Sequence, residues 1–256
     1  MSRSFSCTGL CLRVKPSGES NREAWFLSAQ DGIFRATVFG GPKSRLRSQV
    51  SPFHQGRVWI YHDPVRDSRK VTDFDVETWR PGLRELYERA MAAGALSETV
   101  LATHGGGGGW DTALEIASKT LDELETGDEK DCAPILVRFL WNWTGFLGIR
   151  PDLNHCNSCA CEIPPDKLIW YDRLEGNSAF HGNGAFPWNA TPEGNIYCEK
   201  CRPSRAAALE SGPRRWLLED GRIDTDRQSL RQSGTFVLGI LTGAVGKRLS
   251  LWDAIF

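Results

Sequence analysis

Two cysteine pairs constrain this chain more than any other feature of its sequence. Cys156-Asn157-Ser158-Cys159 and Cys198-Glu199-Lys200-Cys201 each keep the C-x-x-C spacing and frame a segment rich in Gly, Pro, Asn and aromatic residues with no helical period. Two such knuckles can set four thiolates tetrahedrally around one zinc ion, a closed structural arrangement that leaves no position for a reacting water. The stretch between the pairs is longer than the roughly 15–20 residues of a simple zinc ribbon, so a small subdomain is expected within it. A turn precedes each pair, Pro151-Asp152-Leu153-Asn154 before the first and Thr191-Pro192-Glu193-Gly194-Asn195 before the second. Turns of this composition aim successive backbone N–H groups at a thiolate.

The competing readings of these sulfurs are a disulfide or buried apolar thiols. The N-terminus, Met1-Ser2-Arg3-Ser4-Phe5-Ser6-Cys7, lacks the apolar core of a secretion signal, so a cytoplasmic location with reduced thiols is expected. Neither pair opens a helix in a βαβ context, as a redox C-x-x-C does. Metal is therefore favoured, with Cys156, Cys159, Cys198 and Cys201 as ligands. Cys7, Cys11 and Cys132 read as small core thiols, and Cys161 stands near enough to the first pair to substitute as a ligand.

Charge divides the chain. Residues 1–80 hold 13 Lys and Arg against 8 Asp and Glu, whereas residues 81–256 hold 18 against 24. A basic module joined to an acidic one is the asymmetry to follow. No apolar run reaches the roughly 20 residues needed to span a bilayer, so no membrane partner is expected.

The basic part reads as β. Strands are expected over 6–14, 24–29, 33–39, 57–61 and 70–75, with turn signals at Pro16-Ser17-Gly18 and Asp31-Gly32. Five short strands in so little chain suggest closure into a small barrel such as an OB-fold, because closure removes the exposed edges. Gly40-Gly41-Pro42-Lys43-Ser44-Arg45-Leu46-Arg47-Ser48-Gln49 alternates basic and hydroxyl side chains on what reads as an irregular loop. Such groups suit phosphate oxygens. Lys43, Arg45 and Arg47, joined by Arg35, Arg57, Arg66, Arg69 and Lys70, make a candidate nucleic-acid surface, with Phe34, Phe39, Phe53 and Trp59 available to stack on bases. Pro42 before Lys43 excludes a Walker A loop.

From residue 78 the period becomes helical. Leu83, Leu86, Tyr87 and Ala90 lie on one stripe after Pro81, and further helices are expected over 91–103, 112–124, 133–148, 204–219 (with a break at Pro213) and 228–251. Gly105 to Gly109 reads as a flexible loop without a cofactor motif. The fold class is thus α+β multidomain. An OB-fold β-barrel covers 1–80, and an all-helical domain covers 81–152 and 202–256, with a four-cysteine zinc module inserted at 153–201.

Leu140-Trp141-Asn142-Trp143-Thr144-Gly145-Phe146-Leu147-Gly148-Ile149-Arg150-Pro151-Asp152-Leu153-Asn154-His155-Cys156-Asn157-Ser158-Cys159 resembles the "L-L-G-x-x-P-x-L-x-x-C-x-x-C" signature of the RecO family of recombination mediators. The basic run Gly40 to Arg47 ahead of Ser51-Pro52-Phe53, and Tyr197-Cys198-Glu199-Lys200-Cys201, resemble two further family segments. The resemblance runs through essentially the whole chain in order. It implies binding of single- and double-stranded DNA through the OB-fold and annealing of complementary strands. It further implies engagement of the tail of the single-stranded DNA-binding protein, and action with RecR to load RecA. The residues favour a binder over an enzyme. No Glu lies two residues after any of His54, His62, His104, His155 or His181, so the H-x-E of a zinc deaminase is missing. Two other classes remain open at this level: a zinc-stabilised protein-interaction scaffold and a zinc-ribbon RNA-binding factor.

Overall fold

The computed structural model describes residues 3–41, 44–172, 195–246 and 249–250. Pro42, Lys43, His181 and the turn at 191–194 lie outside the described residues, and the last helix, expected to reach 251, ends at Val245 with Gly246 as its left-handed cap. By contact the chain falls into two compact units, Met1–Glu129 and Lys130–Phe256. The first therefore takes in the helices that directly follow the barrel. The division into barrel, helical domain and cysteine module is one by type of structure, and as a statement about folding units it remains a proposal.

Five strands, β1 (Ser4–Ser17), β2 (Asn21–Ser28), β3 (Gly32–Val38), β4 (Gln55–Asp63) and β5 (Ser68–Thr78), close into a barrel in the order β1-β2-β3-β5-β4. Every pairing is antiparallel except β3 with β5. Alternation decides which side chains fill it. Ala24 and Phe26 on β2, Phe34, Ala36 and Val38 on β3, Val58 and Ile60 on β4, and Val71 and Phe74 on β5 point inward and are buried. Phe26 is the hub, stacked on Phe34 at 5.4 Å and meeting Phe74 edge-on at 5.7 Å. Phe34 thus belongs to the core and has no face to offer a base.

The basic run after β3 is partly helical: α1 spans Arg45–Gln49, where the sequence suggested only a loop. Leu46 and Val50 turn one side of this helix into a plug on the barrel core. Arg22 of β2 clamps the plug by donating to the carbonyls of Arg47 and Val50. Phe53, at φ 72°, sits in a tight turn, and its N–H donates to the Cys11 carbonyl. That makes it a joint in the backbone rather than a free ring.

A register shift between Cys11 and Arg13 marks a bulge in β1. The Leu12 carbonyl at that bulge accepts from the Ser97 hydroxyl of α2 (Tyr87–Ala102) at 2.8 Å. Arg80 makes the second joint between barrel and helices. It is buried at 3% exposure and donates to Asp122 and Ser118 of α3 (Trp110–Thr126), to the Phe53 carbonyl and to Gln55. The glycine run between α2 and α3 is an ordered turn rather than an open loop. His104–Gly107 turns at positive φ throughout (51°, 65°, 84° and 71°), and Gly105 is buried, with Ile33 and Leu27 at 3.3 Å from where a Cβ would stand.

The second unit holds α4 (Glu129–Phe146), a small sheet and two further helices, α5 (Ser211–Leu218) and α6 (Arg227–Val245). Ile135, Leu136, Phe139, Leu140 and Trp143 are buried on α4, as the helical period demands. The sheet has the order β7-β6-β8, with β6 at Ile169–Tyr171, β7 at Ile196–Tyr197 and β8 at Ala207–Leu209. Residues 204–219 are therefore not one helix. Strand β8 pairs with β6 first, and the helix begins at Ser211, which puts Pro213 in its first turn, where a missing N–H costs nothing.

Candidate metal centre and nucleic-acid interface

The small sheet brings the two cysteine pairs together. Strand β7 leads directly into Cys198, and Asn157 of the first knuckle grips it from both sides. The Asn157 N–H donates to the Ile196 carbonyl at 2.8 Å, and its side-chain oxygen accepts from the Ile196 N–H at 2.7 Å. Each knuckle is tightened by its own backbone: Ala160 N–H donates to the Cys156 carbonyl at 2.8 Å, and Cys201 N–H to that of Cys198 at 3.1 Å.

The result is four sulfurs, of Cys156, Cys159, Cys198 and Cys201, all within 4.8 Å of one another. Cys159 and Cys198 lie 3.9 Å apart. Thiolates on the corners of a tetrahedron with metal–sulfur bonds of about 2.3 Å would be about 3.8 Å apart. The donor set and spacing fit a metal ion. Burial opposes ionisation of Cys156, yet the backbone N–H groups of Cys198, Cys159 and Ser158 draw its pKa down to about 6. Cys198 is lowered in the same way, by N–H groups of Cys201 and Lys200 that outweigh burial. Backbone dipoles are thus aimed at sulfur before any ion arrives.

Cys161 lines the same cleft as Cys159, Cys198 and Cys201 but stands outside the four-sulfur cluster. Hydrogen bonding to Cys159, with some burial and the neighbouring Cys198, pushes its thiol up to about 12. Cys11 is also pushed up to about 12, by burial in the barrel, and Cys7 and Cys132 are buried as well. His155 is engaged with Asp152 at 2.6 Å rather than with sulfur.

The segment carrying the first pair is held from behind by Arg214 of α5, which no local pattern in the sequence singles out. Its side chain is fully buried and donates to the carbonyls of Leu153, Ile163, Pro164 and Lys167 and to the Asn154 side chain. One guanidinium, with five N–H donors in a fixed fork, satisfies the inner side of a loop that has no regular structure.

The basic residues of the barrel fall into groups. Arg35 lies outward on β3 and meets Glu23 at 3.6 Å. Lys70, at the start of β5, has Thr37 and Tyr61 as cross-strand partners. Arg45 and Arg47 lie on α1, and Arg47 donates to the Ser20 carbonyl at 3.4 Å. Arg57 points outward on β4 but is paired with Asp75, and Trp59 with Asp73, so this stretch of the exterior is acidic as well as basic. Arg69 has the inward parity of Val71 and lies over the Phe34 ring at 5.3 Å. It caps the core and does not join Lys70. Trp25, Arg13 and Lys15 went unmarked in the sequence. Trp25 is outward on β2, flanked across the strands by Arg13 and Arg35, with the Lys15 ammonium 5.9 Å from its ring.

Comparison with known proteins agrees with this architecture. Residues 1–77 match the family model described as Recombination protein O N terminal, and residues 84–192 match Recombination protein O C terminal. A DNA repair protein RecO from Thermosynechococcus vestitus is 28% identical over 200 residues, 76% of this chain and 70% of the relative. That of Frankia casuarinae is 26% identical over 237 residues, 88% of this chain and 87% of the relative. That of Synechocystis sp. is 27% identical over 176 residues, which span 68% of this chain and 63% of the relative.

Proposed function

The chain belongs to the RecO family, whose role is in DNA repair and recombination, and we propose that it acts there as a non-enzymatic mediator: it binds single- and double-stranded DNA and anneals complementary strands. The observation that carries this reading is the basic surface of the barrel unit: Arg13, Arg35 and Lys70 lie outward on three different strands, and α1, which packs on the same barrel through Leu46 and Val50, carries Arg45 and Arg47. Annealing requires no bond chemistry. Cations neutralise the phosphates of two strands so that they approach, and a single strand held on the barrel keeps its bases open to a complement. Membership also supports, as part of the proposal, action with RecR, contact with the tail of the single-stranded DNA-binding protein, and indirect help to RecA. A cytoplasmic site of action accords with this role; among the described residues no helix is long and apolar enough to cross a membrane.

Four sulfurs in tetrahedral reach suit zinc, which takes thiolates readily and holds them without redox chemistry of its own. Cys156, Cys159, Cys198 and Cys201 would hold it, and the ion would supply a covalent-strength clasp between two segments that the Asn157 hydrogen bonds already align. Its role is structural.

Binding to a labelled single strand across a salt series tests the DNA reading, using wild type and the Arg45→Glu/Arg47→Glu variant. Losing two phosphate contacts should flatten the slope of log affinity against log salt by about 1.4. An unchanged affinity and slope would favour a protein-interaction scaffold. Stronger binding to RNA than to DNA of the same sequence would favour the RNA-binding reading.

A further inference from the structure

We propose that the exterior of the barrel carries a base-stacking track for single-stranded DNA, with Trp25, Phe39 and Tyr61 as its rings. The inference rests on the DNA-binding reading above and specifies where unpaired bases are held. The barrel register lays the track out. One row of cross-strand neighbours runs Arg13, Trp25, Arg35 over β1, β2 and β3. The adjacent row runs Lys15, Glu23, Thr37, Lys70, Tyr61 over all five strands. With strands about 4.8 Å apart, the three strand spacings from Trp25 on β2 to Tyr61 on β4 cover about 14 Å. That length suits about three or four nucleotides, the low end of the site sizes of OB-folds.

Each ring on this path already has a cation beside it. The Lys15 ammonium is 5.9 Å from the Trp25 ring, and that of Lys70 is 5.8 Å from Phe39 and 5.5 Å from Tyr61. A base stacked on an aromatic face outweighs an exposed cation–ring contact, and the displaced ammonium is then placed for the flanking phosphate. Phe39 is 53% exposed although the core has its own aromatic set in Phe26, Phe34 and Phe74. Nothing in barrel packing accounts for that ring at the surface. The path is also bounded: beyond Tyr61 on β4, Trp59 and Arg57 face Asp73 and Asp75, which repel a phosphate chain. A duplex keeps its base faces covered by neighbouring pairs, so the rings act on single strands alone, whereas the cations act on both.

Fluorescence anisotropy with labelled oligo-dT and with a labelled duplex tests this, on the full chain at one salt concentration and then across a salt series. Trp25→Ala and Phe39→Ala should each weaken oligo-dT binding about tenfold, and duplex binding by less than about twofold, with the salt slope unchanged. Trp25→Phe, which keeps a ring, should stay within about threefold of wild type. Lys70→Ala should weaken both ligands and flatten the slope. Phe39 is exposed, so its variant keeps the fold if Trp25→Ala does not. Oligo-dT affinity within about twofold of wild type in both alanine variants would overturn the track, as would equal losses on oligo-dT and duplex. A wild-type protein that binds neither ligand would overturn the DNA-binding reading itself.

Discussion

Arg214 offers the sharpest test of how the cysteine segment is held. Arg214→Met keeps the aliphatic stem and removes all five N–H donors. The carbonyls of Leu153 and Ile163, whose bonds to Arg214 are buried, then have no partner, while those of Pro164 and Lys167 lose theirs in a partly wetted setting. A buried polar group left without a partner costs about 1–3 kcal/mol, which gives about 2–6 kcal/mol for the two enclosed carbonyls. Relief from burying a guanidinium offsets part of this, leaving a net loss of about 3 kcal/mol. For a unit of this size that lowers the melting temperature by roughly 10 °C. Arg214→Lys should recover little, because three donors on one nitrogen cannot reach acceptors spread around a planar fork. Leu153 and Ile163 flank the first cysteine pair, so metal affinity should also fall by about tenfold or more, as it does when an outer-shell support is removed. Scanning calorimetry paired with elemental analysis of the purified variant reads both effects. A methionine variant melting within about 2 °C of wild type with its full metal content would refute the reasoning.

Other substitutions probe the remaining joints. Cys159→Ser should abolish stoichiometric zinc, whereas Cys161→Ser should keep one ion per chain by elemental analysis, since only the former belongs to the cluster of four sulfurs. Chelation of the wild-type metal should melt the segment around the pairs, seen as loss of amide-exchange protection at Ile196 and Asn157; protection that survives chelation would detach the metal from the fold. Arg80→Ala leaves the Phe53 carbonyl without its donor, while Asp122 is exposed enough to turn to water, and should cost about 1–3 kcal/mol in urea unfolding. Gly32→Ala puts a methyl 2.5 Å from the Trp110 ring at φ +62° and should cost at least about 2 kcal/mol, read the same way.

The five strands and the two knuckles were legible in the sequence because each is written locally, in alternation and in spacing. What escaped it depends on distance or parity. Arg214 meets partners 47 to 61 residues away, which no local pattern marks. Trp25 and Phe26 are adjacent aromatics on one strand. Pairing decides which of them fills the core: Phe26 lies opposite inward-facing Cys11 and Phe34, and Trp25 opposite outward-facing Arg13 and Arg35. Residues 204–219 read as a helix from their composition, yet Ala207–Leu209 is taken up as a strand edge by β6. Tertiary pairing overrode propensity there, and Pro213, read as a break, is an ordinary first-turn residue. The basic run 40–49 was identified by its charge, but its Leu46 was the sign of a helix that plugs the barrel.

The measurement closest to the central claim is the rate at which the purified protein anneals complementary oligonucleotides at low and then at moderate salt. A DNA mediator working through barrel cations accelerates annealing at low salt and loses that acceleration as salt rises. No acceleration at either salt would contradict the account and leave the family fold serving a protein-binding role.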